Sequence, residues 1–318
     1  CVATAMTTVA QPAALVVSGV KTDVACFGGN NGAVDVTATG GTTPYSYSWN
    51  IGGTNQDINS VTAGTYTINV TDAKNCSTGA TFTVAQPAAL QVSLIALNAS
   101  CNGGTNGSID LTAAGGTAPM TYLWSNNATT EDISGLGAGN FTVAVTDAHG
   151  CVTNGNATIT APAAITITET HTMPNCNGGN NGTVTITANG GTPAYTYSWS
   201  NGAATQNIAN LVAGTYAVTV TDTKGCSAVA SAITVAEPAV VGVGLIITDV
   251  ACQGAANGKV DVTVSGGTPA YTYNWSNAAT TQDLLNVVAG TYTLTVTDSK
   301  GCNQTASAFI NTMPQLNV

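Results

Sequence analysis

Residues 26–76 read CFGGNNGAVDVTATGGTTPYSYSWNIGGTNQDINSVTAGTYTINVTDAKNC, and their internal rhythm decides the fold. Val34, Val36 and Ala38 fall on one face of an extended chain and Asp35, Thr37 and Thr39 on the other. Tyr45, Tyr47 and Trp49 alternate with Ser46 and Ser48 in the same way, and Tyr66, Ile68 and Val70 with Thr65, Thr67 and Asn69. A period of two over four to eight residues marks strands with one buried face. Between these runs lie Gly28-Gly29-Asn30-Asn31-Gly32, Gly40-Gly41, Ala63-Gly64 and Thr71-Asp72-Ala73-Lys74-Asn75, residue types that supply positive φ and side-chain-to-backbone bonds for tight reversals. Further alternations at Leu15–Val20 and Thr81–Ala85, with a short strand near Gln56–Asn59, bring the count to six or seven strands and no amphipathic helix.

The stretch recurs. Cysteines stand at 1, 26, 76, 101, 151, 176, 226, 252 and 302, so the interval from opening to closing cysteine is 50 residues in each complete unit and the period is 75, 75 and then 76. A period of this length signals an array of small domains. The expected fold is all-β, a tandem array of four Ig-like or fibronectin III-like β-sandwich repeats at 12–87, 88–162, 163–238 and 239–313. Cys1 to Pro12 matches Cys76 to Pro87 position for position, so 1–11 is expected to end a preceding repeat, and 314–318 to begin a following one.

A 75-residue sandwich buries little apolar area, so a covalent staple is expected. Nine cysteines without CxxC or a recurring Cys/His pair point to disulfides in an oxidising compartment, not to zinc. The favoured connectivity is within each repeat: Cys26–Cys76, Cys101–Cys151, Cys176–Cys226 and Cys252–Cys302, because that interval is invariant. Bridges from each closing cysteine to the next opening one, 25 or 26 residues on, are the alternative. The inserted residue lies between cysteine and proline, where successive spacings are 11, 11, 11, 12 and 12, which predicts a β-bulge in the last strand of repeats three and four. Linkers as short as Gln86-Pro87-Ala88-Ala89 and Glu237-Pro238 leave little slack and predict a stiff rod.

Charged residues are only 6% of the 318, with five lysines, no arginine, fifteen acids and a net charge of −10, while 44% are hydrophobic. With no basic stripe to neutralise phosphates, nucleic acid is excluded as a partner, and no apolar run is long enough for a membrane helix.

The composite pattern CxGG(x)NGxVxVTxxGGTPxYxYxWSN…LxAGTYxVTVTDxxGC…xxP resembles the SprB repeat of large Bacteroidota cell-surface proteins, and does so over the whole chain. Met120 in place of the first Tyr, Phe141 in place of the Tyr of AGTY, and Ala255-Ala256 in the Gly/Asn loop are the departures. The resemblance implies export by the type IX secretion route, display outside the cell, and a part in adhesion or gliding motility.

Candidate sites for chemistry dissolve into structural roles. The aromatic sets Tyr45, Tyr47, Trp49; Tyr122, Trp124; Tyr195, Tyr197, Trp199; and Tyr271, Tyr273, Trp275 could stack on sugars, but each set shares one face and Met120 substitutes in it, which suits a core. Asp72, Asp147, Asp222 and Asp298 recur in the TDxxGC or TDxxNC turn and invite a calcium reading. Calcium takes six to eight oxygens, whereas the equivalents of Asp35 and Asp57 become Thr185 and Asn207, so turn closure is expected and no metal or other cofactor. His149 and His171 occupy non-equivalent positions with no recurring catalytic partner and are expected in solvated loops. The expected function is a non-enzymatic structural or adhesive segment of an extracellular cell-surface filament or adhesin stalk. Its partners would be neighbouring repeats, lateral copies or surface polysaccharide. The alternative is an array of glycan- or protein-binding modules with one loop-end site per repeat.

Overall fold

A computed structural model describes residues 2–312. The expectations for Cys1 and for 314–318 lie outside the described residues. The chain divides into two compact units, Cys1–Ala161 and Pro162–Val318.

In the first unit, residues 16–84 form six strands: β1 (Val16–Thr22), β2 (Gly32–Thr39), β3 (Ser46–Trp49), β4 (Ile58–Val61), β5 (Gly64–Thr71) and β6 (Ser77–Val84). They pair antiparallel into two three-stranded sheets, β1-β2-β4 and β3-β5-β6. The period-two runs bury as their phase requires. Val34 and Val36 of β2 face Tyr66, Ile68 and Val70 of β5 in a core that includes Trp49, Ile58, Val61 and Val84. The same plan follows in β7 (Gln91–Leu97), β8 (Gly107–Ala114), β9 (Thr121–Trp124), β10 (Ile133–Leu136), β11 (Gly139–Thr146) and β12 (Val152–Ile159), with sheets β7-β8-β10 and β9-β11-β12. A separate core there gathers Ile109, Leu111, Trp124, Ile133, Leu136, Val143, Val145 and Ile159.

The second unit repeats the plan twice more. Its first sandwich comprises β13 (Thr166–Thr172), β14 (Gly182–Asn189), β15 (Thr196–Trp199), β16 (Ile208–Leu211), β17 (Gly214–Thr221) and β18 (Ser227–Val235). Its second comprises β19 (Gly242–Thr248), β20 (Gly258–Ser265), β21 (Thr272–Trp275), β22 (Leu284–Val287), β23 (Gly290–Thr297) and β24 (Asn303–Ile310). Each has its own buried cluster, one around Trp199 and one around Trp275. The fold is all-β, four small sandwiches with six strands each among the described residues.

The direction of the strands gives each sandwich two unlike ends. β1 runs from the end where the chain enters, called the head, to the opposite end, the tail, and β2 returns. β3 and β4 are only four residues long and both run from head to tail, in different sheets, so together they make one crossing. β5 then returns to the head and β6 runs to the tail, where the chain leaves. Cys26, between β1 and β2, is therefore at the tail. Cys76, between β5 and β6, is at the head.

The bulge expectation splits. In β18 the pairing with β17 shifts between Tyr216 and Val218, and Ala232 takes a φ of 61°, so the extra residue is absorbed as a bulge. β24 pairs with β23 without interruption from Asn303 to Ile310, so the fourth sandwich has no bulge there. Its core residue Ile310 stands as far from Cys302 as Val84 does from Cys76, and the extra residue falls after the strand, where phase no longer matters. A register shift the sequence did not announce occurs in the short fourth strand of every sandwich, at Ser60, Gly135, Asn210 and Asn286, all with positive φ.

Candidate functional site at the joints between repeats

The tail is built from the opening cysteine loop. Asn31 Oδ1 accepts from Ala25 N at 3.0 Å, Gly29 N donates to Cys26 O at 3.0 Å, and Gly28, at φ 70°, donates to Gln86 Oε1 at 2.7 Å. Asp23 Oδ1 accepts from Lys21 Nζ at 2.6 Å and from Ala85 N at 2.8 Å, and the lysine first, then the backbone N–H, hold its carboxyl below the usual aspartate range. The loop is thus tied to the residues with which the chain leaves the sandwich.

The head is built from the closing turn. In the second sandwich Asp147 Oδ1 accepts from His149 N and Cys151 N, each at 2.9 Å, and Oδ2 from Thr117 N at 2.9 Å. Asp72, Asp222 and Asp298 make the same three bonds. For Asp72 the N–H of Cys76 is the largest influence and lowers the pKa; for the other three, burial pushes it up but the backbone donors outweigh it. A buried carboxylate saturated with N–H donors closes a turn and holds the neighbouring cysteine in place. The Asp57 position behaves likewise: Asp57 Oδ1 accepts from Val36 N at 2.7 Å, and Asn207 Oδ1 from Ile186 N at 3.0 Å, so an amide serves there as well as a carboxylate. Among the described residues no group of three or more His, Cys, Asp or Glu converges as a metal site would.

Within each unit, the tail of the first sandwich meets the head of the second at the linker. Cys26 is bonded to Cys151, 125 residues on in sequence, with Cα atoms 5.7 Å apart. In the second unit Cys176 is bonded to Cys302, 126 residues on, with Cα atoms 5.5 Å apart. Each bridge joins the tail of one sandwich to the head of the next, and Leu90 and Phe27 flank the first of them. Gly178 N donates to Glu237 Oε2 at 2.6 Å and Asn177 Nδ2 to Pro238 O at 3.1 Å, pinning the second linker beneath its bridge.

These bonds overturn all four pairings expected within repeats. Cys26 and Cys151 are spent on each other, as are Cys176 and Cys302, which removes Cys26–Cys76, Cys101–Cys151, Cys176–Cys226 and Cys252–Cys302 together. Cys76 and Cys252 are free and exposed, whereas Cys101 and Cys226 are disulfide-bonded. The physical reason is distance. Cys76 precedes Ser77 at the head and Cys26 sits by Ala85 at the tail, so the eight residues of β6 separate them by about 25 Å at the usual strand rise, against the 4–7 Å a disulfide spans.

The aromatic residues sit against the cores. Trp49, Trp124, Trp199 and Trp275 are buried, and their indole N–H groups donate to Asn55 O, Thr130 O, Thr205 O and Thr281 O at 2.8–3.0 Å. Tyr45, Tyr47, Tyr122, Tyr195, Tyr197, Tyr271 and Tyr273 are half-buried against the same clusters, as is Met120. The hydroxyls of Tyr195 and Tyr271 donate to Gly190 O and Gly266 O at 2.6 Å. His149 lies exposed in the Asp147 turn. His171 is not in a loop but on β13, its Nδ1 3.0 Å from Glu169 Oε2.

Eight Ig domains of Down Syndrome Cell Adhesion Molecule are similar at 16% identity and a TM-score of 0.29, covering 95% of this chain and 48% of that one. This chain therefore spans about half the length of that eight-domain structure. Domains 1–6 of the surface layer protein SbsC are similar at 16% identity and TM-score 0.26 (90% and 53% covered), and Drosophila OTK extracellular domains 3–5 at 14% and 0.23 (66% and 92%). No curated protein matches the sequence. The SprB repeat model matches residues 18–54, 94–129, 168–204 and 244–280, and the chain accordingly carries four SprB repeats, one in each sandwich.

Proposed function

We propose that this chain is a non-enzymatic structural and adhesive segment of a long extracellular surface filament or adhesin stalk, working in attachment or gliding motility. The observation that carries this reading is the placement of the disulfides. A bridge inside a sandwich would stabilise only that sandwich, whereas Cys26–Cys151 and Cys176–Cys302 lie across joints and resist their separation. A protein that transmits force along its length needs its joints reinforced. Disulfides of this kind belong to an oxidising compartment, which fits display outside the cell and, by the family resemblance, export by the type IX route. The near-absence of charge and the Thr-rich outer strand faces, such as Thr291, Thr293, Thr295 and Thr297 on β23, favour close lateral or substratum contact because little charge must be desolvated.

Antibody fragments raised against the chain should label filaments on intact cells that make it, and surface proteolysis should remove both label and attachment. Internal labelling only, or attachment unaffected by its loss, overturns the reading. Saturable glycan-array binding abolished by substitutions in the Cys26–Gly32 loop would replace it with the carbohydrate-binding alternative.

A further inference from the structure

The bridge within each unit follows one rule: the opening cysteine at the tail of one repeat bonds the closing cysteine at the head of the next. The head of the first repeat and the tail of the fourth each carry the same apparatus with a free cysteine. At the head, Cys76 is exposed and free beside a cavity of about 460 Å³ whose lining includes Pro12, Ala13, Leu15, Thr42 and Asp72. At the corresponding surface of the second repeat, Ala89, Leu90, Cys151 and Val152 line a pocket together with Cys26 and Phe27, and at that of the fourth, Ala239, Val241, Cys302 and Asn303 line one together with Cys176 and Asn177. At the tail of the fourth repeat, Cys252 is exposed and free in a loop shaped like its counterparts: Ala255 N donates to Cys252 O at 3.1 Å and Ala251 N to Asn257 Oδ1 at 3.3 Å.

We propose that the head surface around Cys76 is a docking site for the opening-cysteine loop of another SprB repeat, and that Cys76 closes a disulfide with it. The occupant is fixed by the chain itself, which seats that loop on that surface at two other joints. Asp72 holds the Cys76 N–H at 2.9 Å, so the thiol is positioned before the partner arrives. Bond formation takes two thiols and one disulfide oxidant. With glutathione disulfide, the two cysteines lose two protons and two electrons and form one S–S bond, and the oxidant leaves as two glutathione thiols. The docking geometry does not rest on the adhesive function.

The test uses the full chain carrying Cys1→Ser, incubated at increasing concentration with glutathione disulfide and read by non-reducing electrophoresis and peptide mapping. The expected result is a ladder of chain multiples linked Cys76 to Cys252, in excess over Cys76–Cys76 and Cys252–Cys252 products, and lost in Cys76→Ser. Ala13→Trp, which fills the cavity and keeps both thiols, should lose the ladder too. Equal amounts of like-to-like and unlike links, a Cys76 that stays open to maleimide throughout, or an Ala13→Trp chain that cross-links as fast as its parent would each overturn the proposal.

Discussion

A β-carbon on Gly40 would lie 2.0 Å from the carbonyl oxygen of Ala14, so the linker crosses the first repeat where only glycine leaves room. Gly115 stands in the same relation to Ala89, Gly190 to Ala164 and Gly266 to Val240, at 2.0–2.1 Å. Gly41 then donates its N–H to Ala13 O at 2.8 Å and faces the Asp72 carboxylate. The GG of each GGT motif is therefore the seat on which the incoming linker is laid, and the sequence motif is a joint motif.

Gly40→Ala should accordingly cost several kcal/mol, since it adds overlap with fixed backbone to the roughly 1–2 kcal/mol of a left-handed φ. Gly28→Ala has a φ of 70° but nothing within 4 Å of its β-carbon, so it should cost only the conformational part. Thermal unfolding of the two variants checks the contrast, and equal losses would remove the linker seat from the account.

Acid should loosen the heads. Asp72, Asp147, Asp222 and Asp298 have pKa values lowered in the folded chain, so each contributes stability that is present above the ordinary aspartate value, near 4, and lost as pH falls through the lower folded value. The unfolding midpoint should hold steady from pH 7 to about 5 and fall below about 4. Replacing all four by Asn should lower the midpoint at neutral pH and shrink its acid dependence. A midpoint as high at pH 2.5 as at pH 6 would contradict the turn role.

The joint bridges should behave as single units. Cys26→Ser, Cys151→Ser and the double variant should lose the same stability, because each removes the same bond. In the chain-entropy description a loop of 125 residues is worth about 5 kcal/mol. Calorimetry that finds the double variant clearly less stable than either single one would mean the two residues act separately.

The strands were legible because burial on one face forces a period of two, and Val34-Val36 or Tyr66-Ile68-Val70 declare that phase locally. The connectivity of the cysteines was not. Four strands separate Cys26 from Cys76, and if each crossed the sandwich the two would share an end. They do not, because β3 and β4 make a single crossing between them, and nothing in SYSW or INSV states which way the chain runs. The invariant interval between opening and closing cysteines reflects a conserved unit length, not a bond. The positive φ at Ser60 was equally hidden, since a bulge in a four-residue strand leaves no phase to read.

Ala232 offers the sharpest test of how phase governs these strands. Without it, Ala228, Ala230, Ile233 and Val235 would alternate inward as Thr78, Ala80, Phe82 and Val84 do in β6. The residue is left-handed and its carbonyl takes only a long bond, 3.4 Å, from Thr234 Oγ1, so deleting Ala232 should remove about 1–2 kcal/mol of conformational strain and leave the repeat folded, with a midpoint equal to or above its parent. Deleting Ala80 from the unbulged β6 removes one residue in the same way, yet it throws Phe82 and Val84 to the wrong face and should unfold the first repeat. Equal outcomes for the two deletions, read by circular dichroism melting, would show that register in these strands is not set by the alternation of their side chains.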